Sequence, residues 1–401
     1  MSDPIIFHID VNSAYLSWSA LAQLEAGSET DLRLVPSIVG GDMSTRHGVV
    51  LAKSIPAKAY GITTGEPVIN AFRKCPCLVS VAPDHLLYSE RSRQLMDYLK
   101  NICPDIEQVS IDECYMDYSP IAANYASPEA AAALIKDTIY EKFGFTVNVG
   151  ISDRKVLAKM ASDFKKPNLV HTLYSREIRE KLWPLPVSRL FLCGRSSVET
   201  LKKLGILTVG DLAQADTAIL ASHLKSHGIM LWNYANGLDD SPVYPEPAEA
   251  KGIGNSTTLA EDALTRDEAA KVLLELAESV ARRLRASHCR AGLVCTEIKY
   301  SSFKSVSHQS ILSPPCASTD MIYRTACTLF DELWNGSPIR LLGIRTGKLT
   351  EEGEPVQLSL FDYAAPKSDK QHKLDAALDQ IREKYGDNAI KRGSLITPPH
   401  Q

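Results

Sequence analysis

The sequence predicts a multidomain α+β protein. Short apolar runs alternate with helix-spaced stretches from Ile5 to Asn168, the pattern of a sheet with helices packed against it. Residues 175–235 then read as mostly helical. After a stretch rich in proline and glutamate that starts at Ser241 (SPVYPEPAEAKG), a strand–helix–strand–helix–strand pattern begins. Such a stretch is a natural boundary. At 401 residues the chain exceeds what one core usually organises, so two to four domains are expected.

The elements follow in order. Ile5–Asp10 (IIFHID) is an apolar run ending in a carboxylate, as in a buried strand. NSAYLSWSALAQLEAGS has helical spacing and stops near Gly27. Residues 34–69 are punctuated by glycine and proline and read as short strands and turns. Residues 88–103 predict a helix, and in IEQVSIDECYMDYS two short strands flank Ser110–Glu113 as a hairpin. Residues 128–143 predict a helix, TVNVGIS a strand, and DRKVLAKMASDFKK a helix closed by Pro167. In the last segment strands are expected near 253–259, 293–312 and 339–349, with helices near 266–289 and 319–335. Thr265 and Glu268 form a capping-box pair for the first of these helices. Its apolar stripe is Val272, Leu273, Leu276, Val280 and Leu284. The tail from Ala364 carries Leu374, Leu378, Ile381 and Tyr385 at helical spacing.

Hydrophobic residues make up 44% and charged residues 23%, ordinary for a globular protein. The formal net charge of −4 is not the footprint of a nucleic-acid binder. Local basic surface decides such binding, however, and an acidic cluster or tail masks a basic groove. The nine cysteines are scattered, with no CxxC, which argues against a structural zinc and for reduced, buried thiols. MSDPIIFHID has no basic leader, and nothing downstream approaches a membrane span. A cytoplasmic protein without membrane contact is expected.

The most informative residues are acids inside apolar strands: Asp112 and Glu113 together, and Asp10 at the end of another run. Carboxylates rarely occupy such surroundings without a partner. Converging acids repel unless a cation neutralises them, and Mg²⁺ takes one or two carboxylates plus substrate phosphates. A turn or cap acid explains Asp10 alone, but less readily the adjacent pair. Spacing by itself does not separate a polymerase site from a nucleotide cyclase or a nuclease.

Four blocks, FHIDVNSAYLSW, VVLAKSIPAKAYGI, VSIDECYMD and VGISDRKVLAKMASDFKKPN, occur in this order. The chain thereby resembles the Y-family translesion DNA polymerases of the DinB/UmuC type over residues 4–350. The resemblance implies a right-hand architecture. Palm would be residues 1–18 and 78–172, fingers 19–77, and a helical thumb 173–240. A linker would follow at 241–250, a little finger at 251–350 and a tail at 351–401. It implies Asp10, Asp112 and Glu113 as ligands of two Mg²⁺ ions, with the Val11 carbonyl completing a metal shell. Asn12, Ser13 and Ala14 would offer backbone N–H groups to the dNTP triphosphate at a strand-to-helix turn. Tyr15 would be the steric gate against a ribose 2′-OH, and Lys166 would reach the triphosphate. From the residues alone, core packing accounts for Tyr15 and a solvated helix end for Lys166.

The chain departs from the family in the fingers. Where the family presents Thr, Tyr and Arg to the triphosphate, this sequence has Ala52, Ile55 and Lys58. Lys58 keeps the charge without the bidentate fork, and Ile55 donates nothing. Lys53 and Ser54 are the candidate substitutes. Ala14 and the GGD at 40–42 are expected to leave room over the templating base.

LCGRSSVETLKKLGI resembles a helix-hairpin-helix, in which the turn at Cys193–Gly194 would aim the amides of Gly194, Arg195 and Ser196 at a phosphate of primer–template DNA. An ordinary helical hairpin is the plain alternative. Further DNA contacts are expected from Arg282 and Arg283, with Arg285 and Arg290 nearby, and from Lys299 and Lys304. Lys299, Ser301 and Phe303 are expected to share one strand face and Tyr300, Ser302 and Lys304 the other. Gln357, Leu358, Leu360 and Phe361, in QLSLF, resemble a bacterial sliding-clamp-binding peptide, with Phe361 as the buried anchor. A strand packing back on the last domain is its alternative. The function implied is a clamp-tethered, monomeric DNA polymerase. The rival readings are a catalytically weak DNA-binding accessory protein of the same shape and a nucleotide cyclase.

Overall fold

A computed structural model of the chain describes residues 4–42, 48–247, 249–354, 369–386, 389–390 and 392–393. The chain divides into an N-terminal unit running to Pro247 and a C-terminal unit after it. The N-terminal unit contains, in order, β1 (Ile6–Val11), α1 (Ala14–Glu25), β2 (Ser37–Gly40), β3 (Val50–Lys53), α2 (Ile55–Ala59), α3 (Val68–Lys74), β4 (Val79–Val81), α4 (His85–Ile102), β5 (Ile106–Gln108) and β6 (Glu113–Asp117). There follow α5 (Pro128–Phe143), β7 (Val147–Ser152), α6 (Lys155–Ser162), β8 (Val170–Thr172), α7 (Arg195–Lys203), α8 (Val209–Ala213) and α9 (Thr217–Ala235).

The main sheet has the order β5–β6–β1–β7–β8, and β1 lies antiparallel between β6 and β7. Strand alternation divides its residues cleanly. Phe7, Ile9, Val11, Cys114, Met116, Val147 and Val149 enter a core shared with α1, α4 and α5. The opposite face carries His8, Asp10, Glu113, Tyr115, Asn148 and Gly150, and α6 packs there. Local chemistry sets the helix ends. The Asp84 side chain accepts from Leu86 and Leu87 N–H to start α4, Ser127 starts α5, and Gly144 in the left-handed region ends it. A small sheet, β3–β2–β4, packs with α2 and α3 around Ile38, Val50, Ala57, Val68 and Ala71. The helices α7–α9 close over Leu201, Val209, Leu212, Leu220 and Leu231.

The C-terminal unit contains β9 (Gly254–Ala263), α10 (Arg266–Ala286), β10 (Cys289–Tyr300), β11 (Ser305–Cys316), α11 (Thr319–Leu333), β12 (Ile339–Glu351) and α12 (Asp369–Tyr385). Its antiparallel sheet runs β11–β10–β12–β9, with α10 and α11 over one face. The tail helix α12, with Arg392 beyond it, is tied to this layer by ion pairs. Arg285 grips Asp379 bidentately at 2.6 and 3.0 Å, and Glu278 receives Arg382 at 2.8 Å and Arg392 at 2.6 Å.

Three expectations change. The strand expected at 293–312 is two strands, because Ser301–Lys304 form a turn in which Phe303 takes φ 65° and Tyr300 pairs with Lys304. The helix expected to run to Pro167 ends at Ser162: the Asn148 side chain takes the Ser162 and Lys165 carbonyls and draws the chain off the helix. The first part of the expected linker is packed on the N-terminal unit, where Lys155 donates to the Pro242 carbonyl and Tyr244 N–H to Glu107. Among the described residues no helix is long and apolar enough to cross a membrane. All nine cysteines are free thiols.

Candidate active site

The site is a polar row on the α6 side of the main sheet. Asp10 on β1 is paired in register with Glu113 on β6 and Asn148 on β7, and in the next row His8 lies between Tyr115 and Gly150. Ligand atoms of His8, Asp10 and Glu113 all lie within 4.8 Å of one another. Gly150 lets α6 come close. A Cβ there would stand 2.5 Å from Ser162 N and 3.0 Å from the Ala161 Cβ. This approach brings Lys159 Nζ to 2.7 Å from Glu113 Oε2 and 3.3 Å from Asp10 Oδ2.

Lys166 reaches the same acids from the loop after α6, 2.8 Å from Asp10 Oδ1 and 2.9 Å from Asp163 Oδ1. An amide network fixes that loop. Asn12 Nδ2 donates to Asn148 Oδ1, while Asn12 Oδ1 accepts from Thr146 Oγ1 and Asn168 N–H. Asp112 stands slightly apart. Its carboxylate accepts from Ser110 Oγ at 2.7 Å, and its carbonyl accepts from Val11 N–H.

The electrostatics are those of acids in need of positive charge. Burial pushes the Asp112 carboxyl up; Ser110 lowers it, and the charges of Asp10 and Glu113 add to the rise. The hydrogen bond from His8 holds Glu113 down to about 2 against its burial, with Lys159 assisting. Burial opposes the charges of Lys159 and Lys166, yet both are raised because Asp10 and its neighbours outweigh it. Two ammonium groups thus lie on carboxylates whose oxygens suit a hard divalent cation. The donor set fits Mg²⁺, which Asp10, Glu113 and Asp112 would hold.

The other residues singled out from the sequence fall as follows. Asn12 cannot offer its N–H to a triphosphate as expected, because that group already donates to the Thr146 carbonyl. Ser13, in the left-handed region, and Ala14 open α1, where first-turn amides lie ahead of the internal bonds. Tyr15 stacks on Tyr88 with ring centroids 4.3 Å apart. Lys58 is exposed at the end of α2, and Ile55 is 62% exposed. Ser54 is occupied in capping α2 and donating to the Val35 carbonyl, so only Lys53 remains as a substitute. Burial and the charge of Lys58 hold the Lys53 ammonium down, and it donates to Thr64 Oγ1. At Gly40 an added Cβ would meet Val68 Cγ2 at 2.8 Å, and Ala14 is buried.

In the helical segment Gly194 is extended, and Leu192 takes the positive φ of 61°. Gly194, Arg195 and Ser196 are exposed at the start of α7. In the C-terminal unit, Lys299 alternates with the core residues Ile298 and Tyr300 and so lies on the helix-free sheet face. Arg282 and Arg283 are on α10, in the layer covering the other face, and Arg283 donates to the Gly254 carbonyl. The arginines on α10 and Lys299 thus belong to opposite sides of this sheet. Phe303 and Lys304 do not extend the strand; Phe303 instead lies between Lys299 and Arg340, 5.2 and 4.9 Å from its ring. Gln357, Leu358, Leu360 and Phe361 lie outside the described residues.

Sequence reasoning missed His8, Lys159 and Asn148. The period-two alternation that put Asp10 at a strand end also puts His8 on its face, and that signal was available.

The sequence model of the impB/mucB/samB family matches residues 9–163, and that of the family's C-terminal domain matches residues 250–360. The chain is 45% identical over 393 residues to DNA polymerase IV of Clostridium acetobutylicum, covering 98% of each chain. It is 36% identical over 399 residues to DNA polymerase IV of Acetivibrio thermocellus, covering 98% of this chain and 97% of that one. The solved Y-family DNA polymerase chimera Dbh-Dpo4(243-245)-Dbh shares the fold with a TM-score of 0.74 at 23% identity, over 86% of this chain and 99% of that one. The chain belongs to the impB/mucB/samB family, within the DinB-type Y-family DNA polymerases.

Proposed function

We propose that the chain is a template-directed DNA polymerase of the lesion-bypass kind, which extends a primer 3′-OH with dNTPs on primer–template DNA. The observation that carries this is the pairing of Asp10 with Glu113 across β1 and β6, with Lys159 and Lys166 on their oxygens. When bound, two Mg²⁺ ions supply charge neutralisation and Lewis acidity for in-line displacement at the α-phosphate, with pyrophosphate leaving. Asp10, Asp112 and Glu113, with the Val11 carbonyl, would hold them. The protein's remaining work is positioning and charge.

The opening turn of α1 at Ser13 and Ala14 receives the triphosphate. Lys166 and Lys159 neutralise the acids in the absence of substrate. On dNTP binding, Lys166 turns to the phosphates. Lys53 and Lys58 grip the triphosphate from the fingers, in place of the Thr, Tyr and Arg usual in the family. Tyr15, braced by Tyr88, excludes a ribose 2′-OH. The palm, fingers, thumb, linker and little finger have the residue ranges given above. Gly194, Arg195 and Ser196 hold a phosphate, and Arg282, Arg283, Lys299 and Lys304 track the duplex without reading sequence. QLSLF at 357–361 tethers a monomer to the sliding clamp in the cytoplasm.

The test is primer extension with Mg²⁺ and dNTPs on an undamaged template and on one carrying a bulky base adduct. Extension past the adduct is expected. Stalling at the adduct with normal extension elsewhere removes the lesion-bypass claim. No extension by folded, DNA-binding protein favours the accessory-protein reading.

A further inference from the structure

His8 is a titratable side chain that the polymerase reaction does not by itself require. It is 1% exposed in a strand whose other residues, Asp10 apart, are apolar. A buried polar ring is costly unless its nitrogens are engaged, and here both are. Nε2 lies 3.4 Å from Glu113 Oε2, and Nδ1 lies 2.9 Å from Ser162 Oγ. The ring also meets the Tyr115 ring edge-on, with centroids 4.8 Å apart. Ser162 is itself fully buried, and its hydroxyl lies 2.9 Å from the Lys159 carbonyl. Gly150, opposite His8, is what allows α6 to come close enough for Ser162 to touch the ring.

These contacts form one chain of groups. Ser162 Oγ lies within hydrogen-bond distance of both the Lys159 carbonyl and His8 Nδ1 and gives its one proton to one of them, and His8 Nε2 lies against Glu113. Lys159 Nζ binds the same oxygen, Glu113 Oε2. The carboxylate is thus held by two groups, both anchored to α6. A ligating carboxylate gains affinity when a fixed donor sets its rotation, because that orientation need not be frozen on binding.

We propose that His8 is a positioning residue: through an Nε2–H donated to Glu113, it fixes the carboxylate in the orientation that receives the divalent cation. In that tautomer Nδ1 accepts the single Ser162 hydroxyl proton, which then leaves the Lys159 carbonyl. The proposal rests on the reading that Glu113 is a metal ligand. His8 acts through Glu113 and touches neither cation nor substrate.

The test is direct Mn²⁺ binding, followed by electron paramagnetic resonance, on the full chain with a dideoxy-terminated primer–template and dNTP. Wild type, His8→Phe, His8→Gln and Glu113→Gln are compared. His8→Phe keeps the ring packing and loses both nitrogens. It is expected to weaken Mn²⁺ binding about tenfold while DNA affinity stays unchanged. His8→Gln restores a donor and is expected to stay within about threefold of wild type. Wild-type Mn²⁺ affinity in His8→Phe, with weakened binding in Glu113→Gln, overturns the proposal and leaves the metal reading intact. Wild-type affinity in Glu113→Gln removes the metal reading and the proposal together. If His8→Phe does not fold, Ser162→Ala takes its place. Weaker Mn²⁺ binding supports the relay, and unchanged binding overturns it.

Discussion

Replacing Gly150 by alanine tests how the site is assembled. The new Cβ would stand 2.5 Å from Ser162 N and closer still to the Ala158 carbonyl oxygen. A relaxed carbon–oxygen contact needs about 3.3 Å, so α6 must retreat from β7 by roughly 1 Å. Both obstacles are helix backbone, so no rotamer change relieves them. Overpacking of this kind costs about 1–3 kcal/mol, and a backbone clash belongs at the upper end. For a unit of this size about 3 kcal/mol lowers the melting temperature by roughly 6–12 °C. The same retreat moves Lys159 and Ser162 from Glu113 and His8, and a displacement of about 1 Å costs on the order of 100-fold in rate. The assays are thermal unfolding and single-nucleotide incorporation. Melting within about 2 °C of wild type, with unimpaired incorporation, refutes the claim that α6 is held at backbone contact.

Further expectations concern the groups around that helix and beyond. Glu113 is held down to about 2, first by His8, below its unfolded value of about 4.5. It therefore contributes stability above pH ~4.5 that is lost as pH falls toward 2, on the order of 3 kcal/mol. Urea unfolding in EDTA should show Glu113→Gln less stable than wild type at pH 6 and nearly equal to it at pH 2; a gap independent of pH contradicts this. Lys53→Ala and Lys58→Ala should each raise the dNTP KM about tenfold with little change in kcat. Unchanged KM in both would mean that the fingers lysines do not grip the triphosphate. Alanine at Leu360 and Phe361 together should abolish clamp binding, by more than about 2 kcal/mol, and leave clamp-free extension intact; retained clamp binding sinks the tether.

The acids were legible because a carboxylate in an apolar, alternating run has few innocent explanations. Helix α5 was legible to the residue because Ser127, Pro128 and Gly144 punctuate it chemically. The β10–β11 hairpin was not, since its turn is built from Ser301, Ser302, Phe303 and Lys304 without glycine or proline. Its apolar and hydroxyl residues read as one continuous strand. Nor was the early end of α6, which depends on an asparagine on a neighbouring strand. His8 and Asn148 look from the sequence like polar residues absorbed into a core. Alternation alone puts His8 on the face of Asp10, but only the register of β1 against β6 and β7 brings Glu113 and Asn148 beside them. Lys159 sits within a block quoted for its likeness to the family, yet its role depends on the glycine opposite α6. The tail helix was expected from its spacing. Its attachment through Arg285, Glu278, Asp375 and Asp379 joins residues about a hundred positions apart, and no local pattern announces that.

The central claim is that the paired acids run metal-assisted nucleotidyl transfer. The most direct measurement is primer extension on a primed template with Mg²⁺ and dNTPs, with wild type beside an Asp112→Asn/Glu113→Gln variant of verified fold and DNA affinity. Template-dependent extension by wild type and none by the variant is the expected result. Equal extension by both, or none by a folded, DNA-binding wild type with or without clamp, contradicts the account.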